Sequence, residues 1–199
     1  MNFANVYDFD KTIFDGDSTA KFYFHCLKRY PSILIFLPLQ GLYFMLYLAN
    51  IVTKTVFKEK MYLFLTRIPD VDSEINLFWK KNMFGIKKWY KKNKKKDDII
   101  ISGSPEFLLR PVCKKIGISN LIASRVDKKT GKYTGLNCIN SEKVNRLREK
   151  FPNIKIKEFY SDSYIDEPLA LLAEESYLVE GEKLYRWHEY KNGVKILKK

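Results

Sequence analysis

Four aspartates lie close together near the N-terminus, directly after a short apolar segment. They occupy positions 8, 10, 15 and 17 of the stretch VYDFDKTIFDGDST. Carboxylates this close repel one another, and a hard divalent cation that prefers oxygen ligands would reconcile them. Asp8 and Asp10 stand two positions apart, so both can reach the same ligand. Asp15 is expected to be a turn residue.

Polar residues with useful chemistry also follow later strands of the predicted sheet. Ligands of open α/β sheets bind outside the carboxyl ends of the strands, so we expect these groups to meet at one edge of the sheet, at or just after strand ends. The groups are Asp8, Asp10 and Thr12, then Ser102, Gly103 and Ser104, then Lys143, and finally Asp162 with Asp166.

Apolar runs and helical spacing predict the elements that position these groups. Residues 5–9 are typical of a short buried strand, and apolar residues recur at helical spacing from about residue 19 to residue 92. Later segments predict, in order, a strand at 99–101, a helix from about Pro105, a strand in NLIASRV, a hairpin in DKKTGKYTG, a helix in SEKVNRLREKF and strands in IKEFYSDS and ESYLVEG. This alternation indicates an α/β fold with a mostly parallel sheet, interrupted early by a helical insertion of roughly 75 residues.

Four motifs resemble those of the haloacid dehalogenase (HAD) superfamily, in the family order. DFDKT resembles the DxDxT signature and IIISGS the second motif, while Lys143 in NCINSEKVNRL resembles the third and YSDSYIDEP the fourth. The resemblance implies a Rossmann-like HAD core with a mostly parallel sheet and an inserted α-helical cap of the C1 type, as in subclass IB. It implies a core at residues 1–17 and 94–199 and a cap at residues 18–93.

By this resemblance, the chain is a Mg²⁺-dependent phosphatase that hydrolyses a phosphate monoester through an aspartyl-phosphate intermediate. Asp8 would be the nucleophile, and Asp10 would protonate the leaving oxygen and later activate water. A phosphate monoester is dianionic and repels nucleophiles, so its charge must be neutralised from several directions. The implied metal ligands are Asp8, Asp10, Asp162 and Asp166, and the implied phosphate-binding residues are Thr12, Ser102, Gly103 and Lys143.

The substrate is expected to be a lipid-linked or small-metabolite phosphate. Within the phosphoserine phosphatase-like branch, GLNCINSEKVNRLRE and FDGDS resemble a phosphatidylglycerophosphatase C-like group. Phosphoserine phosphatase is the alternative, because Asp17 stands where that enzyme carries an acidic residue that positions the substrate amine. Its cap arginine has no clear match, and Lys60 and Arg67 are the candidates. Lys11 replaces the commoner glycine of DxDxT, and SDSYID replaces the glycine-rich GDGxxD form.

The formal net charge of +13, from 36 Lys and Arg against 23 Asp and Glu, favours an anionic partner. A phosphate substrate, a lipid headgroup and a nucleic acid all fit this charge. The segment KKWYKKNKKK, residues 87–96, is either the solvated end of a helix or a surface that contacts anionic headgroups. Its aromatic residues would also suit single-stranded nucleic acid, but no other binding motif supports that partner, which we do not expect.

Residues 33–52 contain no charged side chain over 20 positions, which is the length of a membrane span. A single crossing would separate the motifs before and after it, whereas Pro38 and Gly41 permit a bend. Three alternatives follow. The segment forms either the core of the insertion, or a peripheral surface that contacts an anionic membrane, or a re-entrant pair of helices.

A non-catalytic membrane-surface or nucleic-acid binding protein that retains the fold is the alternative of another class, although a binder has no use for a repulsive carboxylate cluster. Three widely spaced cysteines without a CxxC pair argue against a disulfide scaffold and a structural zinc site. They fit a reducing compartment, and the N-terminal sequence lacks the features of a signal peptide. We therefore expect a cytoplasmic location, with or without membrane association.

Overall fold

Strands and helices alternate along residues 3–191 and 194–195, the part of the chain that the structure, a computed structural model, describes. The strands are β1 (Phe3–Tyr7), β2 (Ile99–Pro105), β3 (Asn120–Ser124), β4 (Lys155–Ser161), β5 (Ala173–Glu180), β6 (Lys183–Arg186), β7 (Tyr190–Lys191) and β8 (Val194–Lys195). The helices are α1 (Ser18–Arg29), α2 (Leu37–Leu48), α3 (Lys54–Tyr62), α4 (Val71–Asn82), α5 (Lys88–Asn93), α6 (Glu106–Lys115), α7 (Ser141–Lys150) and α8 (Glu167–Ala170).

Six of the strands form one sheet in the order β3-β2-β1-β4-β5-β6. The first five run parallel to their neighbours, and β6 is antiparallel to β5. Strands buried on both faces have near-continuous apolar runs, and the isoleucines at 99–101 are such a run. The predicted α/β fold with a mostly parallel, Rossmann-like sheet is confirmed, whereas the antiparallel strand β6 was not predicted.

Apolar clusters cover both faces of the sheet. Because successive side chains of a strand point to opposite faces, Ile100 belongs to one cluster while Ile99 and Ile101 belong to the other. The first cluster includes residues of α1, α4 and α6, and the second includes Leu147 of α7 and Leu169 of α8. Helices therefore lie on both sides, and the carboxyl edge of the sheet stays open for a site.

The predicted helical insertion consists of α1 to α5, which lie between β1 and β2. One apolar cluster joins it to the sheet, since Phe22 and Trp79 of the insertion pack in the same cluster as Phe9 and Ile100. The Trp79 indole N–H also donates to the Leu108 carbonyl of α6 at 2.7 Å. The division into a core at 1–17 and 94–199 and a cap at 18–93 stays a prediction, and its residues 1–2, 192–193 and 196–199 lie outside the described residues.

The uncharged segment 33–52 is largely exposed, which contradicts the first of its three alternatives, the buried core of the insertion. Ile33 and Gln40 are its buried residues. In Pro31–Leu48, the one described stretch long and apolar enough to cross a membrane, 11% of the residues are buried. The segment is exposed because α2 is apolar around nearly its whole circumference, while it packs mainly on α3 and on the turn that precedes α2. The exposed apolar residues of segment 33–52 include Leu34, Ile35, Leu37, Leu42, Phe44, Met45, Leu48 and Ile51.

The lysine-rich segment 87–96 is only partly a solvated helix end. Lys87 is buried and donates to the Lys11 carbonyl, and Tyr90 is buried against Tyr7 with ring centroids 5.0 Å apart. Trp89 packs on Tyr160 at 5.3 Å. Both aromatic rings thus pack in the core, so they are not available to stack on single-stranded nucleic acid, the partner that was not expected. The predicted hairpin in DKKTGKYTG is reduced to one antiparallel bridge between Val126 and Tyr133.

Candidate active site

The site begins at the end of β1, where the connections of the sheet change direction. β1 pairs in parallel with β2 on one side and β4 on the other, so a crevice opens outside its carboxyl end. Asp8 directly follows β1, and its backbone N–H donates to the Tyr160 carbonyl of β4 at 2.9 Å. This hydrogen bond continues the sheet by one residue and aims the Asp8 carboxylate into the crevice.

Lys143 connects two carboxylates from different parts of the sequence. Its Nζ lies 2.6 Å from Asp8 Oδ1 and 2.6 Å from Asp166 Oδ2, and Ser161 Oγ donates to the same Asp166 oxygen at 2.7 Å. All three charged side chains are buried. The expectation that Lys143 follows a strand end is wrong, because residues 125–140 lead away from β3 and Lys143 lies in the first turn of α7.

Burial changes the pKa values of charged groups at this end of the sheet. Burial raises the pKa of Asp8 to about 7, although Lys143 opposes this shift, and Asp166 adds to it. Burial alone would lower the pKa of Lys143, but Asp8 and Asp166 together raise it above its usual range. Burial also raises the pKa of Asp162. The site therefore holds more carboxylate than one ammonium group neutralises.

The Asp10 carboxylate is held on both oxygens. Its Oδ1 accepts a hydrogen bond from the Ser18 backbone N–H at 2.7 Å, at the start of α1, and its Oδ2 accepts one from Ser104 Oγ. Ser104 Oγ in turn lies 3.0 Å from Thr19 Oγ1. Burial and then the neighbouring Asp17 raise the pKa of Asp10 to about 6, while the bonds from Ser104 and Ser18 oppose the shift. A carboxyl of this kind exchanges a proton near neutral pH.

Thr12 links two of the acidic residues. It is fully buried, its hydroxyl donates to Asp8 Oδ2 at 3.4 Å, and the Asp162 backbone N–H donates to it at 2.9 Å. Thr12 does not line the cavity described below, so its hydroxyl orients the loops after β1 and β4. Its assignment to phosphate binding stays a prediction that this placement does not favour.

Ser102, Gly103 and Ser104 were predicted to follow a strand at 99–101, but they lie within β2 itself, in its irregular last part at the edge of the site. Ser102 Oγ accepts from the Ser104 backbone N–H at 3.1 Å, where the pairing of β2 with β3 shifts its register. A Cβ at Gly103 would lie 2.9 Å from Ile139 Cγ2, so a glycine is needed for the loop after β3 to approach. The backbone of residues 102–104 is thereby brought to the same crevice as Asp8.

A cavity of about 510 Å³ brings the candidate residues together. Of the predicted catalytic, metal-binding and phosphate-binding residues, Thr12 alone does not line it. Asp17, which is exposed, lines the cavity and also accepts a hydrogen bond from the Ala20 N–H at 2.8 Å as the N-cap of α1. The predicted residues that line it are Asp8, Asp10, Asp17, Ser102, Gly103, Lys143, Asp162 and Asp166.

The opposite wall comes from the insertion, and its basic residues were not among those predicted from the sequence. Lys54 and Lys58 of α3 line the cavity, together with Tyr23, Phe57 and Met61. The candidates Lys60 and Arg67 do not, because their charged groups lie over the rings of Tyr43 and Phe36. A signal for the missed pair is the repeat of lysine at i and i+4 in a helix that also carries Phe57 and Met61.

The donor atoms at the base of the cavity suit a hard divalent cation. Asp8, Asp10, Asp162 and Asp166 all line the cavity. As the resemblance implies, Asp8 and Asp162 would supply carboxylate oxygens and Asp10 its backbone carbonyl, with the Asp166 carboxylate beside them. Among the described residues, no group of three or more His, Cys, Asp and Glu side chains is already arranged around a metal position. A set of two carboxylates with one carbonyl and water molecules fits that finding, because Asp166 is engaged with Lys143 and Ser161. The raised pKa of Asp8 marks the uncompensated charge that a cation would neutralise.

Comparisons with known proteins agree with this architecture. A protein of unknown function from Bordetella pertussis Tohama I has a similar structure, with a TM-score of 0.72 at 18% identity, covering 88% of this chain and 89% of that one. A phosphoserine phosphohydrolase-like protein from Francisella tularensis subsp. tularensis SCHU S4 has a TM-score of 0.54 at 18% identity, covering 88% and 85%. These similarities show the fold.

In sequence, the chain is 32% identical over 91 residues to a histidinol-phosphatase of Neisseria meningitidis serogroup C. The match covers 40% of this chain and 41% of that enzyme, so it spans about two fifths of the relative. The family model of haloacid dehalogenase-like hydrolases matches residues 6–171, which include every candidate residue from Asp8 to Asp166. The chain therefore belongs to the haloacid dehalogenase-like hydrolase family.

Proposed function

We propose that this chain is a Mg²⁺-dependent phosphatase that hydrolyses a phosphate monoester through a phosphorylated Asp8. The observation that carries the proposal is the buried ion pair in which Lys143 Nζ holds Asp8 Oδ1 at 2.6 Å at the base of a cavity. A carboxylate fixed beside an ammonium group, with a second carboxyl at Asp10, is the arrangement that attack on phosphorus requires. The match to a histidinol-phosphatase supports the same class of reaction.

In the first step, a carboxylate oxygen of Asp8 attacks phosphorus and forms a new P–O bond. The bond from phosphorus to the alcohol oxygen breaks, and Asp10 donates its proton to that oxygen, so the alcohol leaves neutral. In the second step, water attacks the same phosphorus, Asp10 takes up a proton from the water, and the Asp8–phosphorus bond breaks. Inorganic phosphate leaves, and both carboxyl groups return to their starting states.

The other residues of the site neutralise and orient the phosphate. Ser102 and the Gly103 backbone N–H would donate to its oxygens, and Lys143 would add positive charge beside the nucleophile. Mg²⁺, held by Asp8, the Asp10 carbonyl and Asp162 with Asp166 beside them, would neutralise phosphate charge and favour the ionised form of Asp8. The cavity wall from α1 and α3 would contact the alcohol part of the substrate, which is a small metabolite or a lipid headgroup.

Hydrolysis of 4-nitrophenyl phosphate with Mg²⁺ and with EDTA tests the proposal. We expect activity with Mg²⁺, its loss in EDTA, and loss of at least about 10³-fold in Asp8→Asn. Asp15→Asn is the matched control, since Asp15 is exposed and does not line the cavity. Activity that survives in Asp8→Asn would contradict the assignment of Asp8 as the nucleophile. A folded protein that is inactive on a broad panel of phosphate esters would favour a non-catalytic binding protein.

Phosphoserine remains the alternative substrate. Asp17 lines the cavity, as a residue that binds a substrate amine would, but the lining residues include no arginine. A panel with phosphoserine, histidinol phosphate and phosphatidylglycerophosphate separates the alternatives, because the preferred substrate should exceed the others in kcat/KM by orders of magnitude.

We also propose that the exposed face of residues 33–52 contacts an anionic membrane surface. The apolar side chains of α2 stand in solvent, and basic residues flank the segment, Lys28 and Arg29 before it and Lys54 after it. The face is also continuous with the cavity. Phe57, which lines the cavity, stacks on Tyr47 of α2 at 5.3 Å. An amphiphilic surface next to a phosphate site suits a substrate that lies in a lipid headgroup layer.

Flotation with vesicles of phosphatidylcholine, with and without phosphatidylglycerol, tests this contact. We expect binding to the anionic vesicles at low salt and its loss in the double variant Leu42→Asp, Met45→Asp, whose residues are 55% and 63% exposed. The matched control is Leu136→Asp, Leu171→Asp, which places the same charges on residues 69% and 66% exposed outside the segment. Wild-type protein that stays with the lipid-free fractions, or equal loss in both variants, would contradict the contact. The cytoplasmic location stays a proposal.

A further inference from the structure

Two lysines of α3 enter the cavity from the insertion side. Lys58 Nζ donates to the Gly103 carbonyl at 2.9 Å, so its ammonium group lies beside the last part of β2. Lys54, one helical turn earlier, lines the same cavity. Within residues 3–188, whose side-chain surroundings the structure describes, the ion pairs include neither lysine. Two cationic groups thus face a cavity without a carboxylate bound to either.

This arrangement is unfavourable in the free protein. Like charges at i and i+4 destabilise a helix, and an ammonium group loses hydration when it is enclosed. Burial and then Lys54 lower the pKa of Lys58 to about 8, an effect that Asp17 and Asp10 oppose and Lys143 reinforces. A bound anion near both lysines would offset these costs, whereas a purely structural role would need only the one hydrogen bond to Gly103.

The phosphate that reacts already has its own partners at the base of the cavity. Ser102, Gly103 N–H and Lys143 lie there, while Lys54 and Lys58 lie on the wall that the alcohol part of the ester would contact. We propose that Lys58, with Lys54, forms a subsite for a second acidic group, a carboxylate or a second phosphate, on the alcohol part of the substrate. This inference rests on the proposed function and adds a substrate class to it.

Apolar residues beside the two lysines would strengthen their interaction with a second acidic group on the substrate. Phe57 and Met61, on the same helix, line the cavity beside the two lysines. The second acidic group would therefore lie close to apolar surface that excludes water, where a charge-assisted hydrogen bond is stronger than in solvent. Esters with a neutral alcohol part leave both lysines without an anionic partner and should bind less well.

A matched pair of substrates tests the subsite. Glycerol 3-phosphate and 3-phosphoglycerate carry the same phosphate ester and differ in a hydroxymethyl group against a carboxylate. We expect wild-type kcat/KM to favour 3-phosphoglycerate, mainly through KM, and the ratio to fall about 10- to 100-fold in Lys58→Met, the range for one lost charge-assisted bond. Lys58→Arg, which keeps the charge, should retain most of the ratio.

Lys60→Met is the control variant, because Lys60 lies on the same helix with its ammonium group over the Tyr43 ring. We expect it to keep the wild-type ratio. Equal kcat/KM for both substrates in the wild type would overturn the subsite. So would an equal loss on both in Lys58→Met, which would mean that Lys58 binds the reacting phosphate instead.

Binding can also be measured without turnover, so that the subsite is tested independently of the proposed phosphatase activity. Titration of both compounds into Asp8→Asn and into Asp8→Asn, Lys58→Met gives the same comparison by calorimetry. Tighter binding of 3-phosphoglycerate that depends on Lys58 would support the subsite even if no ester were hydrolysed. Hydrolysis of both esters without such a difference would leave the phosphatase in place and remove the subsite.

Discussion

Lys143 and Asp8 lie 135 residues apart in sequence and form a buried ion pair in which Nζ and Oδ1 are 2.6 Å apart. The same Nζ contacts Asp166 Oδ2 at 2.6 Å. One ammonium group thus joins the loop after β1 to the turn after β4. Removing it would leave two buried carboxylates without a cation, which makes Lys143 both a structural and a catalytic candidate.

Lys143→Met should destabilise the protein at neutral pH by about 3–5 kcal/mol, because breaking a buried pair leaves charge uncompensated. This corresponds to a fall in Tm of about 10 °C for a chain of this size. The loss should be smaller at pH 5, since Asp8 without Lys143 has a still higher pKa and takes up a proton. Thermal unfolding at both pH values measures the loss of stability, with the exposed Lys129→Met as the control. An equal loss at both pH values would contradict the ion-pair explanation.

The stability of the metal-free protein should fall as the pH rises from about 5 to 7.5. The pKa of Asp8 is raised to about 7 and that of Asp10 to about 6, so over this range the folded state holds protons that the unfolded chain has released. Stability is greatest below these values and declines as the carboxyl groups ionise. Thermal unfolding in EDTA against pH measures the decline, which Asp8→Asn should reduce and exposed Asp15→Asn should not.

Mg²⁺ at pH 7.5 should reverse part of that decline in the wild type. A cation bound by Asp8 and Asp162 stabilises the folded state by mass action and compensates the ionised carboxylates. We expect a concentration-dependent rise in Tm that is absent in Asp8→Asn and retained in Asp15→Asn. A rise of equal size in both variants would place the ion elsewhere.

Ser104→Ala should shift the pH profile of kcat to the alkaline side. Ser104 Oγ donates to Asp10 Oδ2 and thereby stabilises the ionised carboxylate, so removing the hydroxyl raises the pKa of Asp10 above about 6. Asp10 acts as the acid in the first step, and activity therefore persists to higher pH before the proton is lost. We expect a shift of up to about 1 pH unit, the usual size for one lost hydrogen bond. The exposed Ser119→Ala should leave the profile unchanged, and an acid-side shift in Ser104→Ala would contradict the role of Asp10.

Gly131→Ala should destabilise the contact between the loop after β3 and the end of α3. A Cβ at Gly131 would lie 2.7 Å from the Tyr62 carbonyl oxygen, and φ there is +74°. The backbone cannot yield as a flexible side chain can, so we expect a loss of about 2 kcal/mol or more. Gly181→Ala is the matched control, since its φ of +59° carries the same strain with nothing within 4 Å. Equal losses in the two variants would show that the close approach contributes nothing.

Much of the fold was predictable because the local sequence pattern of its segments favours the same structure that they adopt in the folded protein. The isoleucines at 99–101 form a strand in any buried sheet, and the DFDKT stretch must leave a strand end because its aspartates cannot be buried together without partners. These features predicted the sheet, its open edge and the residues that gather there. The exposure of residues 33–52 was not predictable, because an apolar run has the same composition whether protein, lipid or water surrounds it.

The sequence by itself determined which side chains carry charge and that Asp8 and Asp162 follow strands, since these depend on composition and local periodicity. The tertiary structure alone decided which groups meet. It brought Lys143 on α7 to Asp8, put Lys58 rather than Lys60 into the cavity and turned Thr12 inward. The physical reason is that side-chain direction depends on how helices pack against the sheet, which is set by contacts between residues distant in the chain.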